Sequence, residues 1–360
     1  MRMLERIVPP SEAAITSHMK LSRRLLRISC ALAFTFVGAA AGAAGTAPAP
    51  DEPFAFAALG CMPYSRGAES AAAFTRLIAE INRHNPAFTV HLGDIMGSDE
   101  RCTDELLLKR RADFNTFTGA LVYTPGDNEW TDTHSEKAGR YEPTERLAKI
   151  RTLYFSEERS LGQKPIPLTT QRRDPRFAKF VENARWTRGG VVFATVHVVG
   201  SKNNHQPNVP GAMEEWQERD VAVEAWVRAT FANARETKAP AVALFFQADP
   251  FPADKGHGGY EEGFERFLTT VETEARAFAK PVLLIHADEH RYRLDIGMKF
   301  ELNSPAVPNV TRLETFGALQ VHGVLVTVDP GSTQVFLSAP LIVPGNALPA
   351  LPRPKTAAAK

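Results

Sequence analysis

The chain has 360 residues, 44% of them apolar and 23% charged, with a formal net charge of +1. That length suits one large domain or two small ones. The near-neutral balance, with no Lys/Arg block interleaved with aromatics, argues against nucleic acid and anionic surfaces as partners.

The first 47 residues read as leader and signal peptide, with Met19 as a possible true start. Lys20, Arg23, Arg24 and Arg27 form a positive region, Ile28 to Val37 an apolar run, and Ala39 to Ala47 a small-residue stretch with cleavage positions after Ala41, Ala44 or Ala47. The apolar run is shorter than the roughly 20 residues a membrane span needs, so no stable membrane anchor is expected. The expected location is periplasmic or secreted. After cleavage Cys61 and Cys102 remain, and an oxidising compartment permits a bridge between them. A free Cys61 thiolate is the other reading.

Residues 52–345 alternate between strand and helix signals. Ala55 to Leu59 is a buried strand ending at Gly60, and Glu69 to Asn82 an amphipathic helix. Phe88 to Leu92 is a second strand, Asp104 to Phe117 a helix, and Ala120 to Tyr123 a third strand. The polar stretch 131–188 holds a helix near Glu145 to Phe155 and few strand signals. Val191 to Val199 is an apolar strand, and Glu214 to Asn233 a long helix whose Trp216 and Trp226 suit core or interface equally. Strand Ala241 to Phe246, helix Tyr260 to Ala279 and strand Val282 to Ile285 follow, then short β segments from Tyr292 to Leu337. The Pro- and Ala-rich residues 346–360 read as a disordered tail.

In sheets built this way, ligands bind outside the carboxyl ends of the strands. Five strand ends carry polar residues there: Gly60-Cys61-Met62-Pro63-Tyr64, Gly93-Asp94, Thr124-Pro125-Gly126-Asp127-Asn128-Glu129-Trp130, Gln247-Ala248-Asp249-Pro250 and His286-Ala287-Asp288-Glu289-His290. Singly each also fits a turn or a helix cap. Their joint occurrence points to a shared site.

Read in order, these stretches resemble the motifs of the calcineurin-like metallophosphoesterase superfamily, over Phe54 to Leu337. The wording LGDIMGSD, YTPGDNEW, QADP and IHADEHRYRLD is similar to a divergent, exported bacterial branch. The resemblance implies an α/β sandwich of two packed β-sheets flanked by helices, and metal-dependent hydrolysis of a small phosphoester substrate. It also implies departures. Cys61 and Pro63 stand where the family has Asp and His, Asp94 fits the metal-bridging Asp, Asp127 takes the ligand Asn position and Asn128 the His position. Gln247 replaces an isolated His, Asp288 replaces the first His of the last motif, and His290 keeps the second. A one-residue shift would instead make Asn128 the ligand and Glu129 the acid.

One ion would then take Asp94, Asp127, Gln247 and Asp288, an oxygen-only set that favours Mn²⁺, Mg²⁺ or Ca²⁺. The other would keep Asp94 and His290, with Cys61 as a further candidate, which makes a second site weak or empty. Asn128 can donate a hydrogen bond to phosphate but no proton, so leaving-group protonation falls to Glu129 or His286, the nearest by sequence. Lys202, Asn203 and Asn204, between His197 and His205, form either a phosphate-binding loop or a solvated one. A non-catalytic relative with a degenerate metal site is the alternative function.

Overall fold

Alternation along the first strand, β1 (Phe54–Leu59), sets the layering. Phe56 and Ala58 face an apolar layer shared by two sheets, whereas Ala57 and Leu59 face helices. The computed structural model describes residues 52–65, 67–251, 260–301 and 303–347. The expected signal peptide and most of the expected tail lie outside the described residues. Among the described residues, no helix is long and apolar enough to cross a membrane.

After β1 come α1 (Ala68–His84), β2 (Thr89–His91), α2 (Asp104–Phe114), β3 (Ala120–Tyr123), α3 (Pro143–Tyr154), β4 (Leu161–Gly162), β5 (Thr169–Thr170), β6 (Ala184–Arg188) and β7 (Val191–Thr195). A four-residue turn, α4 (Gly200–Asn203), leads to α5 (Ala212–Glu236), β8 (Val242–Phe245), α6 (Glu265–Phe278), β9 (Val282–His286), β10 (Arg293–Met298), β11 (Val307–Glu314), β12 (Gly323–Val328) and β13 (Phe336–Leu341). One sheet has six strands in the order β13-β12-β1-β2-β3-β4, and the other seven in the order β10-β11-β9-β8-β7-β6-β5. The two packed sheets flanked by helices that the sequence implied are therefore present.

Phe56, Phe88, Phe193, Phe245 and Trp186 fill the layer between the sheets, with Phe56 and Phe88 stacked at 5.0 Å between ring centroids. Helices α1 to α3 cover the outer face of the first sheet, and α5 and α6 that of the second. Local sequence sets their ends. Glu142 caps α3 through the Thr144 and Glu145 amides with Pro143 in the first turn, Thr103 caps α2 through Leu106 N, and Asn85 closes α1 in the left-handed region.

Two strand readings change. β6 lies inside the stretch read as polar; Ala184 and Trp186 point into the inter-sheet layer, while Arg185 and Arg188 flank them. The apolar run from Val191 leaves the sheet after Thr195, because Val198 N donates to Val196 O at 2.8 Å in a tight turn. At the chain's end Asn346, expected in the tail, is buried and donates to Ala73 O and Val321 O.

Candidate metal centre

β1, β2 and β3 run parallel, as do β7, β8, β9 and β11, so their carboxyl ends gather along one edge of the sandwich. Asp94 and Asp127 arrive there from the first sheet, Asp288 and His290 from the second. Ligand atoms of Asp94, Asp127 and Asp288 lie within 4.8 Å of one another, and so do those of Cys61, Asp94 and His290. Four of these residues hold a left-handed backbone: Cys61 at φ 53°, Asp94 at 54°, Asp288 at 80° and His290 at 63°. Such conformations cost about 1–3 kcal/mol each outside glycine and concentrate at functional sites. Glycine makes the close approach possible: a Cβ on Gly126 would sit 2.1 Å from Asp94 Oδ1.

Asp94 and Asp127 are 2% and 6% exposed. Burial lifts both carboxyls well above the ordinary carboxylate range, and a neighbouring acid raises each further, Asp127 acting on Asp94 and Asp288 on Asp127. Apart from the contact between the two acids themselves, the hydrogen-bond partners of this pair among the described residues are neutral. Asp94 Oδ1 accepts from Asn128 N at 3.3 Å, and its Oδ2 faces Cys61 Sγ at 3.4 Å, Tyr64 Oη at 3.3 Å and Gln247 Nε2 at 3.2 Å. Asp127 Oδ2 is 3.0 Å from Ser201 Oγ, while its Oδ1 is buried without a hydrogen-bond partner. Clustered carboxylates with an orphaned oxygen, and no cation among the partners of Asp94 and Asp127 within the described residues, fit a hard divalent cation.

Three expected roles are corrected. Gln247 reaches the cluster with the wrong end of its amide: Oε1 accepts from Gly200 N at 2.6 Å, and Nε2 donates to Asp94 Oδ2 and, at 3.0 Å, to Asp288 Oδ1. Turning the amide over would set its NH₂ against the Gly200 N–H, so the carboxylates meet a donor rather than a ligand. Glu129 is fully buried and points beneath the turn, where Oε1 accepts from Gly126 N and Tyr123 Oη, both at 2.7 Å. It braces the turn that presents Asp127 and does not face the cleft. Asn128 does face it, with Nδ2 donating to Tyr64 Oη at 3.1 Å and Met96 O at 3.0 Å. His286 is fully buried and stacks on Phe246, away from a proton-transfer role.

In the loop after β7 Lys202 is exposed, whereas Asn203 and Asn204 are buried and are not phosphate-facing amides. Ser201, Lys202, Asn203 and Asn204 form a left-handed turn at φ 47°, 57°, 55° and 62°. Asn203 is buried, accepting from Arg219 and donating to Gly263 O at 2.9 Å. His197 is buried against Glu182 Oε1 at 2.8 Å. The turn's product is Ser201, whose Oγ reaches Asp127 Oδ2 and, at 2.6 Å, Asp132 Oδ1. Sequence reasoning placed Ser201 in the polar loop after the Val191–Val199 run but gave it no role, because only the left-handed turn of that loop aims its hydroxyl at Asp127. It gave Tyr64 no role although that residue closes the first strand-end stretch. Cys61 and Cys102 are both free, so the bridge is absent; Cys102 Sγ donates to Glu129 O at 3.2 Å. Burial and the Asp94 charge raise the Cys61 thiol, which also accepts from Asp288 N at 3.1 Å.

No family model matches the chain, and no curated protein matches it. Among solved structures it is similar to PhoD, with 13% identity, 84% of this chain and 70% of that one covered and a TM-score of 0.49. It is similar to a dimetal phosphatase from Danio rerio, with 10% identity, coverages of 81% and 99% and a TM-score of 0.48. It also resembles a purple acid phosphatase from yellow lupin seeds, with 12% identity, 81% of this chain but 54% of that one covered and a TM-score of 0.46. The two packed sheets flanked by helices, with a cluster at their carboxyl edge, make this an α/β sandwich. With TM-scores below 0.5 the likenesses add nothing about the site, whose chemistry rests on its own atoms.

Proposed function

We propose that the protein is a metal-dependent phosphoester hydrolase, exported to the periplasm or the exterior, whose centre takes one hard divalent cation on Asp94, Asp127 and Asp288. The observation that carries this reading is the buried Asp127 Oδ1, without a hydrogen-bond partner amid two further carboxylates. Export is supported by the basic, apolar and small-residue order of residues 20–47.

When bound there, such an ion supplies a polarised phosphoryl oxygen and a water of lowered pKa. The chain's own groups hold the acids in place. Ser201 fixes Asp127, Asp249 N donates to Asp288 Oδ2 at 3.2 Å, and Asn128 N fixes Asp94. His290, half-buried with Nε2 3.1 Å from Tyr64 Oη, is our candidate for the leaving-group proton.

The non-catalytic alternative gains support from Gln247, which offers a donor where a ligand was expected. One experiment separates the readings. Purified mature protein is titrated with Mn²⁺ and Mg²⁺ and assayed with an aryl phosphate ester with and without them. Saturable binding with cation-dependent turnover supports the proposal. Binding without turnover leaves the non-catalytic reading, and no binding at millimolar cation overturns the site.

A further inference from the structure

Accepting a cation on Asp94, Asp127 and Asp288, the Cys61–Asp94–His290 cluster beside it remains to be explained, since its ligand atoms lie within 4.8 Å of one another. We propose that Tyr64 stands in for a second cation: its hydroxyl ties Asp94 to His290 and limits the centre to a single ion. The proposal rests on the cation reading above and goes beyond it by naming the residue that holds the centre to one ion.

The atoms that would face an ion on this side are engaged. Tyr64 Oη lies 3.3 Å from Asp94 Oδ2, 3.1 Å from His290 Nε2 and 3.1 Å from Asn128 Nδ2. A phenol has one proton and two lone pairs. The arrangement is satisfied when the proton goes to Asp94 and the lone pairs accept from Asn128 and from His290 in its Nε2–H form. That tautomer leaves Nε2 no lone pair for a metal. Asp94 Oδ2 also faces Cys61 Sγ at 3.4 Å and Gln247 Nε2 at 3.2 Å. Cys61 gives its hydrogen to Asp94 and takes the Asp288 N–H at 3.1 Å, so its sulfur too is spoken for.

Tyr64 is held where this requires it. It is 5% exposed, and its ring meets His290 edge to face at 5.5 Å between centroids. Behind His290, Gly317 leaves no room for retreat: a Cβ there would be 2.5 Å from Cδ2 of the imidazole. An entering ion would have to break the Tyr64 links to Asp94 and His290 and ionise Cys61, and would gain one imidazole, one thiolate and one carboxylate already shared with its neighbour. On the other side Asp127 Oδ1 lacks a hydrogen-bond partner, so a first ion displaces nothing from it.

The test counts ions rather than turnover. Wild-type protein is loaded with Co²⁺, the ions per folded chain are measured by native mass spectrometry, and sulfur-to-cobalt charge-transfer absorption is recorded. The wild type should take one ion and show no such absorption. Tyr64→Ala should take two and gain the absorption. Tyr64→Phe, which keeps the ring and removes the hydroxyl, should bind a second ion at least tenfold more tightly than the wild type does. Two ions and thiolate absorption in the wild type would overturn the proposal, as would unchanged single occupancy in both variants. A wild type that binds no ion would instead sink the cation reading, and this inference with it.

Discussion

At the scale of single residues, the centre is strained by charge. Asp127→Asn removes one of the mutually repelling buried acids. It should weaken Mn²⁺ binding at least about tenfold, near 1.4 kcal/mol, while leaving the metal-free protein as stable as the wild type or more so. Calorimetric titration and chemical denaturation in chelator check the two halves. A variant destabilised without metal and unchanged in affinity would contradict the assignment. Away from the centre, His91 is fully buried, donates from Nε2 to Met62 O at 2.8 Å, and is pushed down to about 3, chiefly by burial. Its folded value lies below the unfolded one near 6.5, so the unfolded chain binds the extra proton and stability falls as pH drops from about 6.5 towards about 3. At pH 5 this amounts to about 2 kcal/mol. His91→Gln should lose that part of the acid sensitivity, readable in urea melts at pH 7 and pH 5. Residue identities at strand ends were legible in the sequence because the parallel-sheet rule places them. Orientations were not: Gln247 was read as an oxygen donor, and only the Gly200 amide decides which end of it faces the acids.

Among the elements, the close passage of β2 and β3 at their carboxyl ends matters most. Gly93 sits at φ 82°, and a Cβ there would lie 2.3 Å from Gly126 N, a backbone atom that cannot step aside. Gly93→Ala should cost about 3 kcal/mol and separate Asp94 from Asp127, so cation affinity falls with stability. A thermal melt and a titration on the same sample test the coupling; an affinity that survives a lowered melting point would refute it. Most helices and long strands were legible from periodicity. β6 was not, because Arg185 and Arg188 made its two-residue alternation look like a polar stretch, although Ala184, Trp186 and their neighbours carry the pattern. The left-handed turn at 201–204 was beyond reach for another reason. None of its residues is glycine, and the conformation depends on distant partners such as Arg219.

For the whole molecule, the inter-sheet layer decides whether the two sheets unfold together. Phe193 is fully buried and packs against Phe56, Phe88 and Trp186, at 5.8, 5.0 and 5.7 Å between centroids. Phe193→Ala should cost about 3–5 kcal/mol and lower the denaturant midpoint of a single transition. Two separated transitions in the wild type would mean that the sheets are independent units. The sandwich itself was legible only through the motif resemblance, since alternation alone shows that strands are buried, not how many sheets they form.

The acids of the centre come from both sheets, Asp94 and Asp127 from one and Asp288 from the other. An ion held by all three is therefore also a clasp across the seam of the sandwich. By mass action, a free concentration a hundred times the dissociation constant adds about 2.7 kcal/mol to the folded state. The melting point becomes a gauge of the surrounding ion supply. Chelation should speed amide exchange at the carboxyl ends of β2, β3 and β9 together, because opening the clasp frees both halves of the rim at once.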